Sequence, residues 1–562
     1  MSGGIRRTTL VSTAFALVIG LAIGLNLGAR PSGCAANSCR PTAVVPTSPA
    51  LTSTLYHSKP TTPHATVAPP KKRPLDSPVV DTGAAKEDTC EAKTRKLYMD
   101  YAAYAAEGEK LRQTHGPLKI AAFSRLWVPP LHGTGGMQYH ALHLYSQLAA
   151  QGHTVHVFVT GGPHMSRILH YAVDPKTLQL KTCDEATAQL TIRQIPSDAN
   201  GEYSVSWFAN ALRAFTELNS TVGGFHVAHS ESWAGVPNVY QMGLPMAVTW
   251  HGSMLDWFRN EINLIVHNFR MKGHMTSDHT AVRMKDLGSS VSYEAFMLLA
   301  VPHHIVISDS AADDLTELNL VDPSSVHLIY NGVNPSNFRP NPSARTSFLS
   351  ELGITDSPFV VGCGGRLEKI KGHAQLSRAM DRVLSQHRDV VLLVAGHGGE
   401  SEKYERLKSK GLRVHLLGMM KQERLAAFYQ SLDAFVDPFY QHHGLNTVMI
   451  EAVLSGVPLI ATRLASAKTT VPCDDFGRTF ALGDANDLAD QIEYLKAHPE
   501  ERARISKNVR ERAINLFTST TMALRYERLL YDISMNPKPL VPMTGEVVCK
   551  RTYPAMCFRR PQ

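Results

Sequence analysis

The stretch PFVVGCGGRLEKIKG runs from Pro358 to Gly372. Its first half is an unbroken small and apolar run, and its second half is a basic loop flanked by glycines. A strand that stays apolar at every residue is covered on both faces, as strands of parallel sheets are. A helical pattern opens near His373, so strand, glycine turn and helix succeed one another as in a βαβ unit. Downstream the alternation recurs at DVVLLVAGHG (Asp389 to Gly398), RVHLLG (Arg413 to Gly418), DAFVDPF (Asp433 to Phe439) and VPLIAT (Val457 to Thr462). Upstream another series begins at LKIAAFS (Leu118 to Ser124), with a helix from about Met137 to Gln151 and then HTVHVFVT (His153 to Thr160). It goes on through FHVAHS (Phe225 to Ser230), PMAVTWHG (Pro245 to Gly252), HHIVIS (His303 to Ser308) and VHLIY (Val326 to Tyr330). Two such series predict an α/β protein with two Rossmann-like, doubly wound domains, 116–334 and 335–535. Pro335, Pro340 and Pro342 break regular structure at the join. Ligands of these sheets bind beyond the carboxyl ends of the strands, so facing domains predict a cleft between them.

Composition agrees with a large covered core. Of 562 residues, 43% are hydrophobic and 19% charged, below the ~25% charge of an average globular chain. Bulk disorder is therefore excluded, and eight cysteines are too few for a disulfide-built scaffold. The balance of 57 basic and 49 acidic residues gives +8, which demands no nucleic-acid partner.

The ends differ from the body. Thr8 to Ala29 is charge-free and comes directly after Arg6 and Arg7. About 20 apolar residues cross a bilayer as a helix, and a cleaved signal peptide has a shorter apolar core. The segment 8–29 reads as a transmembrane signal anchor with residues 1–7 in the cytosol. The chain from Arg30 onward is then lumenal, in the Golgi or another secretory-pathway compartment. Pro31 to Val80 holds ten prolines and thirteen Ser/Thr, the composition of a disordered stem open to O-glycosylation. A helical run, Lys86 to Gln113, closes this 30–115 lead-in, and 536–562 is a basic tail. Asn219-Ser220-Thr221 is a glycosylation sequon expected on a surface loop. Cys363 is expected as a buried thiol. Cys34, Cys39, Cys549 and Cys557 could form bridges whose connectivity the sequence leaves open, and stem cysteines could equally link two chains into a homodimer.

Four patches fall at strand ends. In HGTGGMQYH (His132 to His140), Gly135 and Gly136 would let backbone approach an anion at a helix start, although such turns also serve as plain connectors. In GGRLEKIKG, Arg366 and Lys371 could neutralise a departing diphosphate; the alternative is a solvated loop. In FYQHHGLNTVMIEAVLSGVPLIAT (Phe439 to Thr462), Gly444 would turn the chain into a helix, with Leu445 and Asn446 at its head. Glu451, about two turns along, could bind a ribose diol from a half-buried position. In TWHG (Thr249 to Gly252), His251 ends a strand facing the cleft, where a structural histidine is the plainer reading.

Together these motifs, with IYNGVNPSNFRP (Ile329 to Pro340) and LLVAGHGGE (Leu392 to Glu400), resemble the family 4 retaining glycosyltransferases of the GT-B fold over about Leu118 to Asp532. The resemblance implies a hexosyl- or pentosyltransferase acting on a nucleotide-sugar donor. Arg366 and Lys371 would bind the diphosphate, Glu451 the ribose, Gly135 and Gly136 the donor side of the first domain, and His251 the donor sugar. One position departs: the family has two glutamates separated by seven residues, and His443 stands at the first. An imidazole there bears on sugar choice and activity but leaves the diphosphate site intact. The acceptor, a glycan, glycoprotein or lipid, is expected on the first domain, with Met254 to Leu299 as its candidate segment; a structural insertion is the other reading. No metal or cofactor is expected, because protein cations would balance the leaving group. The alternative is a catalytically silent Golgi scaffold or glycan-binding protein that kept the fold.

Overall fold

The computed structural model describes residues 90–540, apart from 91–93, 95–96, 126–134, 162–163, 165, 199–204, 273–277, 318–320 and 442–443. The expected anchor, the proline-rich stem, residues 541–562 of the basic tail, His443, Cys34, Cys39, Cys549 and Cys557 lie outside the described residues. Among the described residues no helix is long and apolar enough to cross a membrane. The predicted lead-in helix is divided. Its regular part, α1, is Tyr101–His115, because Asp100 is extended and its carboxylate accepts the Ala103 N–H as an N-cap.

The first domain begins with β1 (Lys119–Ser124), α2 (Gly136–Ala150), β2 (Thr154–Thr160), β3 (Ile168–Val173), β4 (Leu180–Thr182), β5 (Leu190–Ile195) and α3 (Val205–Thr221). It continues through β6 (Val227–Glu231), α4 (Val239–Met242), β7 (Met246–Trp250), α5 (Met254–Lys272), α6 (Asp278–Ala300), β8 (His304–Val306), α7 (Asp309–Glu317) and β9 (Val326–Leu328). The second domain holds α8 (Pro342–Glu351), β10 (Phe359–Gly364), α9 (His373–Gln386), β11 (Val390–Ala395), α10 (Ser401–Ser409), β12 (Val414–Gly418) and α11 (Gln422–Gln430). It ends with β13 (Ala434–Asp437), α12 (Thr447–Leu454), β14 (Leu459–Thr462), β15 (Arg478–Phe480), α13 (Ala485–Ala497), α14 (Pro499–Leu516) and α15 (Ser519–Met535).

The first sheet has nine strands in the order β4-β3-β5-β2-β1-β6-β7-β8-β9, and the second has six in the order β12-β11-β10-β13-β14-β15. All pairs are parallel except those of β3 with β4 and β5. The predicted strands are therefore present, and β3, β4, β5 and β15 are additions. Successive residues of β1 show why the run is apolar throughout. Ile120 and Ala122 enter the core under α2 and α15, whereas Ala121 and Phe123 enter the core under α3 and α6. Cys363 is buried on β10 as expected. The sequon is not on a loop: Asn219 lies in the last turn of α3, and its Oδ1 accepts the Phe225 N–H at 2.7 Å.

The chain crosses between domains twice, and the crossings pair. Val333 N–H donates to Phe517 O and Ser519 N–H to Val333 O, both at 3.0 Å. A Cβ at Gly332 would collide with the Thr518 carbonyl, so glycine is required there. The returning helix α15 packs on α1 and α2. A disulfide joins Cys90 in the lead-in to Cys473 in the second domain, with Cα atoms 6.6 Å apart. Closing a loop this long restricts the unfolded chain, typically by about 2–4 kcal/mol. Cys473→Ser should lower the thermal midpoint of the oxidised protein by several degrees, and reductant should lower the wild type to match. A midpoint that moves with neither would show that the tether contributes nothing.

Candidate active site

The second domain supplies two strand-end loops that touch. After β10 the chain passes Arg366, makes a tight turn at Lys369–Lys371 and reaches Gly372 at φ +75°. A Cβ at Gly372 would overlap the Pro438 carbonyl, so only glycine lets this loop lie against the end of β13. Gln375 secures the contact, donating to Pro438 O at 2.5 Å and accepting the Gly483 N–H at 2.8 Å. The Lys371 ammonium lies 3.7 Å from the centroid of the Phe439 ring. Burial lowers its pKa, against the opposing pull of the Asp437 carboxyl. Asp437, buried at the end of β13, is pushed up by burial. Arg366 is different: its side chain is 68% exposed and paired with Glu368 at 2.7 Å.

The helix after Gly444 begins later than the sequence implied. Its first residue is Thr447 and its N-cap is Asn446, which places Glu451 about one turn in rather than two. The reason is spatial. Gly444 lies against the first domain, where a Cβ would come 2.6 Å from Ile307 Cδ1 and 3.3 Å from the His251 carbonyl. Glu451 is half-buried as expected. Tyr429 donates to its Oε2 at 2.8 Å, and burial raises it to about 7. Asp437 Oδ1 and Asn446 Nδ2 are buried without a hydrogen-bond partner among the described residues. Both residues line a small pocket with Phe439, Gly444 and Thr462. Buried polar atoms are almost always paired, so two orphans in one cavity at a helix head mark a polar ligand site.

The first domain supplies a buried polar network. Gly135 caps α2 and Gly136 begins it; both are exposed, and neither has left-handed backbone. One turn on, the Tyr139 hydroxyl is raised first by burial and then by the charge of Glu451 across the junction. His251 Nε2 lies 2.5 Å from Glu231 Oε2, and Tyr145 donates to Glu231 Oε1 at 2.9 Å. A carboxylate only accepts, so Nε2 of His251 carries the proton and Nδ1 keeps its lone pair. Burial lowers His251 to about 3 and His140 to about 4, so both rings are neutral at neutral pH. His251 therefore adds no positive charge beside Arg366 and Lys371. His140, Glu231 and His251 have ligand atoms within 4.8 Å of one another, with His251 and Glu231 hydrogen-bonded to each other.

Asn331 joins the halves. Its Oδ1 lies 2.8 Å from His140 Nδ1, and its Nδ2 donates to Leu445 O at 2.9 Å. The structure thus gathers Lys371, Glu451, Gly444, Leu445, Asn446 and His251 at one junction, with Arg366 on its exposed side. Glu231, Asn331 and Asp437 join the site without having been expected there from the sequence. Of the three, Asp437 was legible as a charge at the end of the apolar run DAFVDPF.

A model of the family described as Glycosyl transferases group 1 matches residues 345–512, and one described as Glycosyltransferase Family 4 matches residues 134–337. The chain is a glycosyltransferase. It is 23% identical over 427 residues to the MMP alpha-(1->4)-mannosyltransferase of Mycolicibacterium hassiacum, covering 71% of this chain and 96% of that one. It is 25% identical over 425 residues to a D-inositol 3-phosphate glycosyltransferase of Nocardioides, covering 71% and 86%. Among solved structures it resembles sucrose-phosphate synthase from Thermosynechococcus elongatus, with TM-score 0.56, 22% identity and coverage of 74% and 99%. Anabaena HepE in complex with UDP and glucose gives TM-score 0.54 at 16% identity, with the same coverage. The two sheets are thus those of the GT-B fold.

In this glycosyltransferase His251 leads straight into α5, whose start is held by two carboxyls. Glu294 Oε2 accepts the Met254 N–H at 2.7 Å, and Asp256 Oδ2 accepts the Ser253 N–H at 3.2 Å. Burial raises Glu294 from its ordinary 4.5 to about 8. A carboxyl raised on folding adds stability that is complete below the unfolded value and lost as pH rises through the folded one. Between about pH 4.5 and 8, the melting midpoint of the wild type should therefore fall relative to Glu294→Gln. A constant difference between the two proteins across that window would contradict the burial of a neutral acid.

Proposed function

We propose that the protein is a retaining glycosyltransferase that moves a sugar from a nucleotide-sugar donor to an acceptor hydroxyl. The observation that carries this reading is the cavity at the head of α12, with its two orphan polar atoms, beside Lys371 and Glu451. The Glu451 carboxyl would accept from the ribose hydroxyls. The N–H groups at the start of α12 and the cations Lys371 and Arg366 would hold the diphosphate. As the glycosidic bond breaks, its electron pair goes to the diphosphate oxygen, and these groups stabilise the growing charge. The acceptor oxygen then bonds to the anomeric carbon from the same face, and its proton passes to the leaving-group oxygen. Neutral His251, fixed by Glu231, would orient the sugar by hydrogen bonding. The protein's own cations balance the leaving group, and no metal or cofactor enters the scheme.

We place the catalytic body in the lumen of the secretory pathway, anchored by residues 8–29. The charge-free run behind Arg6 and Arg7, the proline-rich stem and the Cys90–Cys473 bridge support that placement, since such bridges persist in oxidising compartments. The acceptor is then a glycan, glycoprotein or lipid of that compartment.

Screening UDP-, GDP- and ADP-sugars, with product mass and anomeric configuration as readouts, tests the proposal. An inverted product would overturn the retaining assignment. Arg366→Ala should reduce turnover of the correct donor by about 10²–10³-fold, as loss of a charge-stabilising donor does. Unchanged turnover would remove Arg366 from the diphosphate site.

A further inference from the structure

The protons around Glu231 can be counted, and the count leaves a gap. The Leu445 carbonyl only accepts, so the Asn331 atom 2.9 Å from it is the amide nitrogen, and the Asn331 oxygen faces His140. That oxygen cannot donate, so His140 carries its proton on Nδ1 and keeps the lone pair on Nε2. Among the described residues, Glu231 Oε1 at 3.8 Å and the Tyr526 hydroxyl at 3.4 Å face that lone pair. Tyr526 has no proton to spare. The Glu231 carboxylate takes the Tyr145 proton at 2.9 Å, so Tyr145 accepts in turn from His229 Nδ1 at 2.8 Å. A neutral imidazole has one donor and one acceptor, so His229 Nε2 accepts from Thr249 at 2.8 Å, and Thr249 accepts from Tyr526 at 2.7 Å. His140 Nε2 and Glu231 Oε1 are thus two acceptors face to face, too far apart for a hydrogen bond.

Two facing acceptors repel unless a positive centre lies between them, and His251 brings a third donor atom to the same point. The ligand atoms of His140, Glu231 and His251 all lie within 4.8 Å of one another, and the two rings meet edge to face with centroids 4.7 Å apart. Two imidazoles and a carboxylate are a ligand set for zinc, which binds each at about 2.0–2.2 Å and can leave a fourth position open. Ligand atoms on one tetrahedral ion then stand roughly 3.3–3.6 Å apart. His140 and Glu231, at 3.8 Å, nearly have that spacing already. His251 Nε2, 2.5 Å from Glu231 Oε2, would retreat by about 1 Å to reach it. It is the ligand with room to do so, since its side chain is 12% exposed and the other two are fully buried. His140 is also braced as metal-bound imidazoles are, its far N–H held by the Asn331 oxygen.

We propose that His140, Glu231 and His251 form a binding site for a divalent cation of the zinc class, which inhibits transfer while it is bound. Coordination moves the His251 ring proton from Nε2 to Nδ1, so the atom turned away from Glu231 changes from a lone pair to an N–H. A donor-sugar hydroxyl that gave its proton to Nδ1 then loses its acceptor. The cation takes no part in the transfer itself. The site stands on its own geometry, and the inhibition alone rests on the transferase reading.

The test uses the full-length protein, stripped with a chelator and kept oxidised. Zinc is titrated in competition with a chromophoric chelator, and cobalt is followed by the visible absorption of a low-coordinate site. One tight equivalent of zinc and a cobalt spectrum unlike that of the aqueous ion are expected. His140→Ala should weaken that equivalent by about 100-fold or more, beyond what loss of a supporting contact to a ligand costs. Glu231→Gln, which keeps the shape of the carboxylate, serves the same purpose if the first variant does not fold. In the wild type, zinc should raise the apparent KM for the donor, and chelator should restore it. The absence of a tight equivalent, an aqueous-type cobalt spectrum, or an equivalent undiminished in a folded variant would each overturn the site. Unchanged donor kinetics at full zinc occupancy would overturn the inhibition. If the metal-free protein turns over no donor, the transferase reading fails while the binding result is judged by itself.

Discussion

Asn331 is 4% exposed, and both ends of its amide are committed, one to His140 in the first domain and one to the Leu445 carbonyl in the second. A buried amide left half-paired costs about 1–3 kcal/mol, so this residue favours one relation between the domains. Its neighbours depend on it. His140 stands 3.4 Å from the Tyr526 hydroxyl, Tyr526 pairs with Thr249 at 2.7 Å, and Thr249 lies 2.8 Å from His229 Nε2. Tyr526 belongs to α15, which reaches the first domain from the far end of the second. One amide therefore links the donor loop, the β7 strand end and the returning helix. The loop from Gly444 to Asn446 is held at the junction by backbone, and its side chains remain available to the cavity.

The cations of the junction come from one side only. Lys371, Arg366, Asp437 and Glu451 all come from the second domain. The first domain answers with Glu231 among histidines that burial keeps neutral, His140 and His229 each near 4 and His251 near 3. Burying a carboxylate is tolerable only when its lone pairs are used, and the Tyr145 hydroxyl and His251 N–H use them. This arrangement fixes the tautomer of His251 without adding a positive charge to the junction.

Strands buried on both faces were legible because every residue had to be apolar, and β1, β10, β11 and β14 match their apolar runs to within a residue or two. β3 and β4 were not legible, because they are a half-exposed antiparallel edge. β3 carries Ile168, Leu169, His170 and Tyr171 in mixed environments, and two of the three residues of β4 are exposed. Site residues sorted the same way. Lys371 and Glu451 stood in motifs whose chemistry is local. Glu231 and Asn331 act through partners 20 and 114 residues away in sequence, and no spacing encodes such a contact. The start of α12 escaped the sequence for a related reason. Gly444 has the look of a helix turn, whereas its smallness serves a contact with Ile307 of the other domain.

The two cations that the loop GGRLEKIKG offers are unequal, and the inequality comes from their surroundings. Lys371 is half-buried against Phe439 and Asp437, so its position is set before any ligand arrives and little side-chain entropy remains to be lost. Arg366 stands largely in water and holds Glu368, a pair worth at most about 1 kcal/mol at such exposure. Its guanidinium can leave that partner at small cost and offer a bidentate fork to phosphate oxygens. A fixed ammonium at the strand end and a mobile guanidinium at the rim divide the task by time. In the proposed reaction the first would hold the diphosphate from the outset. The second would gain most when charge collects on the departing oxygen, which is where an interaction must strengthen in order to speed the proposed reaction.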